Sequence, residues 1–288
     1  MYVLCSPCVL QPTLRAAGIT KPSDLKLFAN AVQRCTKFGI GIVPLPCPES
    51  LYLGPDRKPG TYLERLNTPE FSNLISRLER EVTDSIRERG PPLCIIGVNS
   101  SPACGVSSTW YGAEGDMPPK REGRGVFLSK FPAVPAVDVA VFARYRVYLA
   151  APLFSEAERL FNASVTQLLR DHLFEVHLPQ ETGDDSDMRD IQEQEQLFSS
   201  NKTALEKSDV IIAIIDGADA DSGTAWEMGY AFAQGKPVIA LRTDFRRVGH
   251  HEHVNLMLEQ SANVVGSKKE LLAALQSPCL NYRQERSP

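Results

Sequence analysis

The chain has 288 residues, of which 43% are hydrophobic and 23% charged, and its 31 basic and 35 acidic side chains give a formal net charge of −4. This composition excludes a disordered or collagen-like chain, and the slight acidic excess argues against a large surface for a nucleic acid polymer. No run of about 18 apolar residues, the length that spans a membrane, is present, and the first residues lack the pattern of a secretory signal. We therefore expect a cytoplasmic protein that does not act at a membrane.

The first half of the chain alternates short apolar runs with helical periodicity. The pattern predicts helices over residues 23–36 and 68–89, and buried strands over residues 38–43 and 93–98. Such alternation is typical of an α/β unit, so we expect a smaller α/β domain over residues 1–130.

Two irregular segments close this half. Residues 113–125 are rich in glycine, proline and charge, which predicts a loop. Residues 131–145 carry two prolines and no amphipathic period, which favours a linker between two domains.

The second half has a cleaner alternation of strands and helices. The predicted strands cover residues 147–150, 175–178, 210–216 and 237–241. The predicted helices cover residues 156–173, 188–207 and 224–234. This order predicts a flavodoxin- or Rossmann-like parallel sheet flanked by helices over residues 146–278, with residues 279–288 as a tail. Ligands of such folds bind beyond the carboxyl ends of the strands.

Seven cysteines stand at positions 5, 8, 35, 47, 94, 104 and 279, an odd number in a chain without an export signal. A disulfide framework is therefore disfavoured, and metal binding or redox chemistry is the better hypothesis. All five histidines lie in the second half. Three of them crowd residues 250–253, which we interpret as a loop leading to Asn255 rather than a metal site, because further ligands are lacking nearby.

The densest signal is DGADADSGTAWEMGYAFAQGKP, residues 216–237, which predicts a strand end, an acidic loop and a helix. Glu227 stands in the first turn of that helix, where the helix dipole stabilises an anion. Thr224 and Glu227 also fit the capping box S/T-x-x-E, which requires no catalysis. Asp216 and Gly217 taken alone would fit a turn.

Four segments of the second half stand in a recognisable order. They are YLAAPLF from Tyr148, HLPQ ending at Gln180, SNKTALEKSDVIIAIIDG with DSGTAWEMGYA, and Asn255-Leu256-Met257. Together they resemble the nucleoside 2-deoxyribosyltransferase family.

The resemblance implies glycosyl transfer with retention, in which Glu227 attacks the anomeric carbon of a 2′-deoxyribonucleoside and a second base attacks the resulting ester. It also implies that Asp221 protonates the leaving base and that Tyr148 orients Glu227. Adjacent carboxylates with separated pKa values would keep Glu227 an anion and Asp221 an acid. The substrate-binding residues that the resemblance implies are Phe154, Gln180, Asn201, Asp216, Gly223, Asn255 and Met257.

Several of these residues have specific implied roles. Phe154 would wall the base or sugar, and Gln180 would pair with the base edge. Asn255 and Met257 would complete the site of a neighbouring subunit in a homo-oligomer. For Tyr148 and Phe154, plain core packing is the alternative.

Asn201 departs from the family pattern, because some members carry an aspartate at this position. An amide cannot donate an acidic proton, so any acid role must fall on Asp221 alone. Asn201 could still hydrogen-bond a sugar hydroxyl.

The cysteines of the first half stand beside proline and glycine. They occur as CSPCVL at residues 5–10 with Leu14-Arg15 following, as CPE at residues 47–49, and as SPACG at residues 101–105. Such flanks indicate loops that present sulfur, as iron–sulfur binding loops do. These segments resemble the family, formerly of unknown function, that includes 2-thiouracil desulfidase.

That resemblance implies a 4Fe–4S cluster with one iron open to a thiocarbonyl sulfur. The three thiolate ligands would be those of Cys8, Cys47 and Cys104. Glu49 and Ser101 would assist proton transfer, and Cys5 is a further candidate ligand that would close the open iron. The alternatives are a zinc site formed by the same four cysteines, and cysteines that are simply buried.

The two resemblances together suggest an enzyme of nucleotide salvage that transfers 2-deoxyribose between nucleobases, with a desulfidase-like domain acting on thiolated bases. Its ligands would be nucleosides and nucleobases. Hydrolysis of nucleoside or nucleotide N-glycosidic bonds is an alternative, and Arg242, Arg246 and Arg247 keep recognition of a phosphate open. A nucleotide-sensing module with a structural metal domain is the non-enzymatic alternative.

Overall fold

A computed structural model of the chain describes residues 1–112, 120–182, 190–246 and 254–276. The chain forms two compact units, the first spanning Met1–Ala143 and the second beginning at Arg144. Residues 113–119 of the predicted loop, the histidine-rich residues 250–253 and the predicted tail 279–288 lie outside the described residues. Within the described ranges, no helix combines the length and the apolar character needed to cross a lipid bilayer.

The first unit contains one parallel sheet and a short antiparallel hairpin. Its strands are β1 (Tyr2–Cys5), β2 (Gly41–Pro44), β3 (Ile95–Gly97), β4 (Ser108–Trp110), β5 (Lys120–Glu122) and β6 (Ala136–Asp138). Its helices are α1 (Pro7–Leu10), α2 (Pro22–Lys37), α3 (Pro48–Leu53), α4 (Tyr62–Arg65), α5 (Pro69–Arg89) and α6 (Val139–Phe142). The parallel sheet has the strand order β2-β1-β3-β6, and β4 pairs with β5.

Four elements of this unit, β1, β5, β6 and α6, differ from the sequence-based prediction. The central strand β1 is missing from it, because four residues at the start of the chain are too few to show a period. The predicted loop 113–125 contains β5, and the predicted linker 131–145 contains β6 and α6. Pro135 directly precedes β6, and proline is tolerated there because β6 is an edge strand. The expected linker is therefore part of the first unit.

The second unit is a five-stranded parallel sheet with helices packed on it. Its strands are β7 (Arg146–Ala150), β8 (Glu175–His177), β9 (Val210–Ile214), β10 (Val238–Leu241) and β11 (Asn263–Val265). Its helices are α7 (Glu156–Asp171), α8 (Ile191–Lys207), α9 (Ser222–Ala233), α10 (Leu256–Ser261) and α11 (Lys268–Leu275). The strand order β11-β10-β9-β7-β8 is that of flavodoxin-like folds. The predicted fold class is confirmed.

The sheet of the second unit is buried on both faces. Successive side chains of a strand point to opposite faces, so Val147 and Leu149 of β7 join one apolar cluster. Tyr148 and Ala150 join the other cluster, together with Met228 of α9. Tyr148 therefore lies on the face of the sheet that α9 covers.

Asp209 ties β9 to the start of β7. Its Oδ2 accepts hydrogen bonds from the backbone N–H groups of Tyr145 and Arg146, at 3.3 and 3.1 Å. The Arg146 guanidinium donates to both carboxylate oxygens, at 3.0 and 2.8 Å. This contact holds β7, which carries Tyr148, in register with β9, which leads to α9.

We expect Asp209→Ala to destabilise the second unit by about 1–3 kcal/mol, since it leaves the arginine and two backbone donors without their acceptor. Urea unfolding followed by circular dichroism measures the change. Asp171→Ala is the matched control, because this exposed aspartate accepts only from Gln167 of its own helix and should change stability by less than about 0.5 kcal/mol. Equal effects of the two variants would contradict the assigned role.

Candidate active sites

The second unit has a cavity of about 340 Å³ between α8, α9 and Tyr148 of β7. The strand order reverses between β7 and its neighbour β9, and open α/β sheets bind their ligands near such a point. The cavity is lined by Tyr148, Phe198, Asn201, Lys202, Leu205, Gly223, Trp226 and Glu227. It thus brings together four of the site residues predicted from the sequence.

Glu227 is not part of a capping box. The N-cap of α9 is Asp221, whose Oδ2 accepts from the backbone N–H of Thr224 at 2.9 Å and from the Thr224 hydroxyl at 3.1 Å. Thr224 therefore lies inside the helix, and Glu227 follows one turn later. The Tyr148 hydroxyl donates a hydrogen bond to Oε1 of Glu227, which agrees with the orienting role predicted for Tyr148.

The protonation of Glu227 differs from the expectation of a permanent anion. Burial raises the pKa of Glu227 to about 7, the nearby Asp221 charge adds to this rise, and the hydrogen bond from Tyr148 opposes it. Burial also raises the pKa of Tyr148 well above its usual range, so its hydroxyl remains a donor. Glu227 is therefore about half ionised at neutral pH and fully ionised only above it.

Tyr148 belongs to a short network behind the cavity. The ring of His177, the last residue of β8, stacks on the Tyr148 ring with 5.2 Å between centroids and 22° between planes. The His177 Nε2 atom lies 3.3 Å from Oδ1 of Asn201 on α8. The network connects the residue that bonds Glu227 to the amide that lines the same cavity.

An aromatic wall, formed by Phe198 and Trp226, was not predicted from the sequence. The two rings lie 5.8 Å apart, and Trp226 stacks on Tyr230 with 5.1 Å between centroids and 7° between planes. Phe198 is 56% exposed and Trp226 is 47% exposed, although both are large and apolar. Trp226 directly precedes Glu227 in the sequence. This position beside the candidate nucleophile could have identified Trp226 as a residue of the site.

Five predicted substrate-binding residues do not line this cavity. Phe154 and Met257 are each 76% exposed. The side-chain amide of Gln180 already has partners within the protein: its oxygen accepts a hydrogen bond from Asn162, and its nitrogen donates one to the Arg159 carbonyl oxygen, each at 3.1 Å. Their implied roles in substrate binding stay predictions.

The other two residues outside the cavity have structural contacts. Asp216 accepts from the Thr243 N–H at 2.5 Å, the Thr243 hydroxyl at 2.7 Å and the Asp244 N–H at 2.8 Å, which joins the loops after β9 and β10. Asn255 is the N-cap of α10 and accepts from the Met257 N–H at 3.0 Å. The side-chain oxygens of Asp216 and Asn255 thus accept hydrogen bonds that stabilise the local backbone.

The arginines considered for a phosphate are engaged elsewhere. Arg242 is buried and donates to the carbonyl oxygens of Ile215 and Arg246, at 2.7 and 2.9 Å. Arg246 forms an ion pair with Asp244. Arg247 lies outside the described residues.

We expect Tyr148→Phe to raise the pKa of Glu227 above 7, because the variant removes a hydrogen bond that favours the carboxylate. Carbon-detected NMR titration of labelled glutamate measures this pKa. The control is Tyr230→Phe on the same helix as Glu227, whose lost hydroxyl bonds Glu206 instead. A Glu227 pKa that stays unchanged or falls in Tyr148→Phe would show that the hydroxyl does not support the anion.

The first unit has its own cavity, of about 460 Å³, and its predicted cysteines meet there. Cys8, Cys47 and Cys104 each follow the carboxyl end of a strand, namely β1, β2 and β3. Carboxyl ends of parallel strands share one edge of a sheet, so three distant cysteines line one cavity together with Glu49 and Ser101.

Glu49 and Ser101 contact each other in this cavity. The Ser101 hydroxyl donates to Oε1 of Glu49 at 2.8 Å and accepts from the Cys104 N–H at 3.0 Å. The buried Arg57 pairs with the other oxygen of Glu49, with Nε at 3.4 Å, and also donates to the Ser50 hydroxyl at 2.8 Å. Arg57 is a site residue that the sequence reading missed, because it stands outside the cysteine segments.

Two thiols of this cavity, those of Cys8 and Cys104, are poorly suited to ionise by themselves. Burial raises the pKa of Cys8 to about 12, with repulsion from Cys47 adding to it, and burial also raises the pKa of Cys104 well above its ordinary value. Among the described residues, no three Cys, His, Asp or Glu side chains are placed to hold a single metal ion. The alternative of a four-cysteine zinc site therefore has no counterpart there.

Cys5, the further candidate ligand, does not line the cavity. Its side chain is buried in β1, and its thiol lies 3.5 Å from the Ser6 carbonyl oxygen. Burial, followed by the charge of Cys8, raises the pKa of Cys5 far above its usual range. For Cys5 to bind a metal cluster in this cavity, its side chain would have to leave its buried position in β1.

Residues 147–265 match the family described as nucleoside 2-deoxyribosyltransferase. The match lies within the second unit and covers less than half of the chain. The uncharacterized protein MJ0003 of Methanocaldococcus jannaschii is 32% identical over 82 residues, which cover 27% of this chain and 52% of that protein. The chain therefore matches about half the length of that relative.

Two solved structures are similar to part of the chain. A conserved protein from Enterococcus faecalis V583 is 30% identical, with a TM-score of 0.38, over 46% of this chain and 96% of that one. The 2-deoxyribosyltransferase from Bacillus psychrosaccharolyticus is 26% identical, with a TM-score of 0.39, over 45% of this chain and 94% of that one. These scores are too low to support a shared activity.

Proposed function

We propose that the second unit transfers 2-deoxyribose between nucleobases through an ester on Glu227. The supporting observation is the hydrogen bond between Tyr148 and Glu227, which both line one cavity of the second unit. A carboxyl group that served only to cap its helix would bond its own backbone, whereas Glu227 is held by another element and lines the cavity. The family match over residues 147–265 points to the same chemistry.

The proposed reaction is a double displacement. The ionised Glu227 attacks C1′ of the deoxyribose through Oε2, the oxygen not bonded to Tyr148, and the N-glycosidic bond breaks with its electron pair on the departing base. A ring nitrogen of a second base then attacks C1′, gives its proton to the carboxylate left on the proton donor of the first step, and releases Glu227 as a carboxylate. The Tyr148 hydroxyl orients Glu227 in both steps.

Asp221 is our candidate for the proton donor to the departing base. Both of its capping bonds use Oδ2, which leaves Oδ1 for another partner. Asp221 does not itself line the cavity, but it lies close enough to Glu227 for the two carboxyl groups to interact. The base itself would stack against Phe198 and Trp226, since flat exposed rings are suited to a flat ligand.

A nucleoside is favoured over a nucleotide as the substrate. Arg242 and Arg246, which could have recognised a 5′-phosphate, bond carbonyl oxygens and Asp244 instead. Hydrolysis of the same bond remains the competing activity, in which water takes the place of the second base.

We expect the full chain to form a new nucleoside from a deoxyribonucleoside and a different free base, with kcat/KM falling below pH about 7 as Glu227 becomes protonated. Glu227→Gln should lower the rate by about 10³-fold or more, because it removes the nucleophile. Chromatography of the products measures both. The exposed Glu206→Gln should leave the rate unchanged. Free deoxyribose without a new nucleoside would show hydrolysis instead, and unchanged transfer by Glu227→Gln would overturn the proposal.

We also propose that the chain forms a homo-oligomer in which Asn255 and Met257 of one copy complete the site of another. The supporting observation is the exposure of Met257, an apolar side chain of which 76% is accessible. A half-exposed Leu256 beside it extends the apolar surface.

For the first unit, we propose a 4Fe–4S cluster held by Cys8, Cys47 and Cys104. The donor set fits, because three thiols share one cavity, and a cluster distributes its ligands over several irons rather than around one point. When bound, the cluster would supply positive charge to stabilise these thiolates and an open iron for a sulfur ligand. The residues of the chain would hold a proton between Ser101 and Glu49, with Arg57 keeping Glu49 in place.

The two activities on one chain suggest salvage of thiolated nucleobases. On this hypothesis, the first unit removes sulfur from a base and the second unit attaches or releases its deoxyribose. Failure of both units to bind a thiolated pyrimidine or its nucleoside would remove this link.

We expect the chain, purified without oxygen, to carry iron and to show a broad absorption band in the visible region. Cys47→Ser should lose both, because it removes a ligand. Cys35→Ser should retain both, since this buried cysteine lies on α2 and does not line the cavity. A colourless wild-type protein after iron and sulfide reconstitution would refute the cluster.

A further inference from the structure

The side chain of Asn99 closes the loop that connects β3 to β4 in the first unit. Its oxygen Oδ1 accepts hydrogen bonds from the backbone N–H groups of Val106 and Ser107, each at 3.0 Å, and of Ser108 at 3.4 Å. Only the carbonyl end of an amide can accept from backbone donors, so these bonds fix the orientation of the amide. Its nitrogen Nδ2 donates to the Ser107 hydroxyl at 3.0 Å. The start of the loop is thus bonded to its end.

Asp138 attaches Asn99 to the sheet. At the end of β6, Oδ2 of Asp138 accepts from the Asn99 N–H at 2.7 Å, and Oδ1 accepts from the Ala140 N–H at 2.9 Å. Asp138 is buried, and it lies opposite Gly97 in the pairing of β6 with β3. The edge strand therefore holds the backbone of Asn99, while the side chain of Asn99 holds the far end of the loop.

The closed loop places Ser100 in a backbone conformation that residues other than glycine rarely adopt, with a φ of +68°. The Ser100 N–H donates to the Ser108 carbonyl oxygen at 2.8 Å, which holds this conformation against β4. The next residue is Ser101, whose hydroxyl donates to Glu49 at 2.8 Å and accepts from the Cys104 N–H at 3.0 Å. Unusual backbone angles persist where the surrounding bonds enforce them, and they cluster at functional sites.

We propose that Asn99 is a positioning residue, which holds the Ser101 hydroxyl against Glu49 through the closed loop. This rests on the proposed function only in that Ser101 and Glu49 move a proton in this cavity. Asn99 also lines the cavity, but both ends of its amide have partners within the loop. Its contribution is therefore the conformation of the loop rather than a contact with a ligand.

The test is amide hydrogen–deuterium exchange of the full chain, resolved to single residues by fragmentation in the mass spectrometer. The Cys104 N–H reports the position of the Ser101 hydroxyl, because this hydroxyl is its acceptor. In Asn99→Leu, we expect exchange at Cys104 to rise about 10-fold more than at Ile95, whose N–H bonds Pro135 within the sheet. Asn99→Asp keeps an oxygen for the backbone donors and should restore exchange to within about threefold of wild type.

Ser101→Ala separates the residue that positions from the residue that is positioned. This variant should raise exchange at Cys104 but leave the Val106 N–H protected, because Asn99 still accepts from Val106. Asn73→Leu, an exposed asparagine of α5, is the matched control and should leave exchange at both amides unchanged.

A second readout is the release of sulfide from 2-thiouracil, with water supplying the oxygen that replaces sulfur, by the chain purified without oxygen. Asn99→Leu and Ser101→Ala should each lower kcat by about 100-fold with little change in KM, because both remove the placed hydroxyl from the reaction. The double variant should be no slower than Ser101→Ala alone, since residues that act as a unit are not additive.

Exchange at Cys104 that keeps its wild-type rate in Asn99→Leu, or a rise that Asn99→Asp does not reverse, would overturn the inference. Two effects on kcat that multiply in the double variant would do so as well. Should Asn99→Leu fail to fold, as judged by circular dichroism, Asn99→Ala takes its place. A wild-type chain that releases no sulfide would refute the desulfidase function, while exchange at Cys104 would still decide the role of Asn99.

Discussion

The proposed chemistry of the second unit depends on the hydrogen bond between the Tyr148 hydroxyl and the Glu227 carboxyl group. Burial disfavours the charged form of Glu227 and brings its pKa to about 7, while the hydrogen bond from the Tyr148 hydroxyl opposes this effect. A less buried glutamate would be a fully ionised but better solvated nucleophile, and a more buried one would stay protonated. The contact also fixes the direction of the carboxyl group, because Tyr148 is itself enclosed by the core and stacked on His177.

Both units use the same property of parallel sheets to assemble their sites. Tyr148 belongs to β7 and Glu227 follows β9, and the two strands are neighbours although 79 residues separate the side chains. In the first unit, Cys8, Cys47 and Cys104 follow three strands of one sheet in the same way. Residues distant in sequence therefore meet because every strand runs in the same direction and ends at the same edge.

The sequence predicted the fold and the candidate reactive residues of these sites better than the other side chains that line them. The buried run of β9 and the motif around Glu227 identified the fold class and the candidate nucleophile, and the strand-end cysteines were found from their flanking prolines. The aromatic wall of Phe198 and Trp226 and the Arg57–Glu49 pair were missed, since each depends on contacts between separate elements. Asp221 was assigned as an acid, but its capping of α9 depends on where the helix begins, and the sequence placed that start at residue 224 instead of Ser222.

The central claim is that a sugar becomes bonded to Glu227 during turnover. It is tested most directly by incubating the chain with a 2′-fluoro-arabinosyl nucleoside, in which fluorine slows release of the sugar from the enzyme, and then mapping peptides by tandem mass spectrometry. The account predicts one added fluorosugar, located on the peptide side chain of Glu227. Release of the base with no added mass on the protein, or a sugar attached to another carboxyl group such as Asp221, would contradict it.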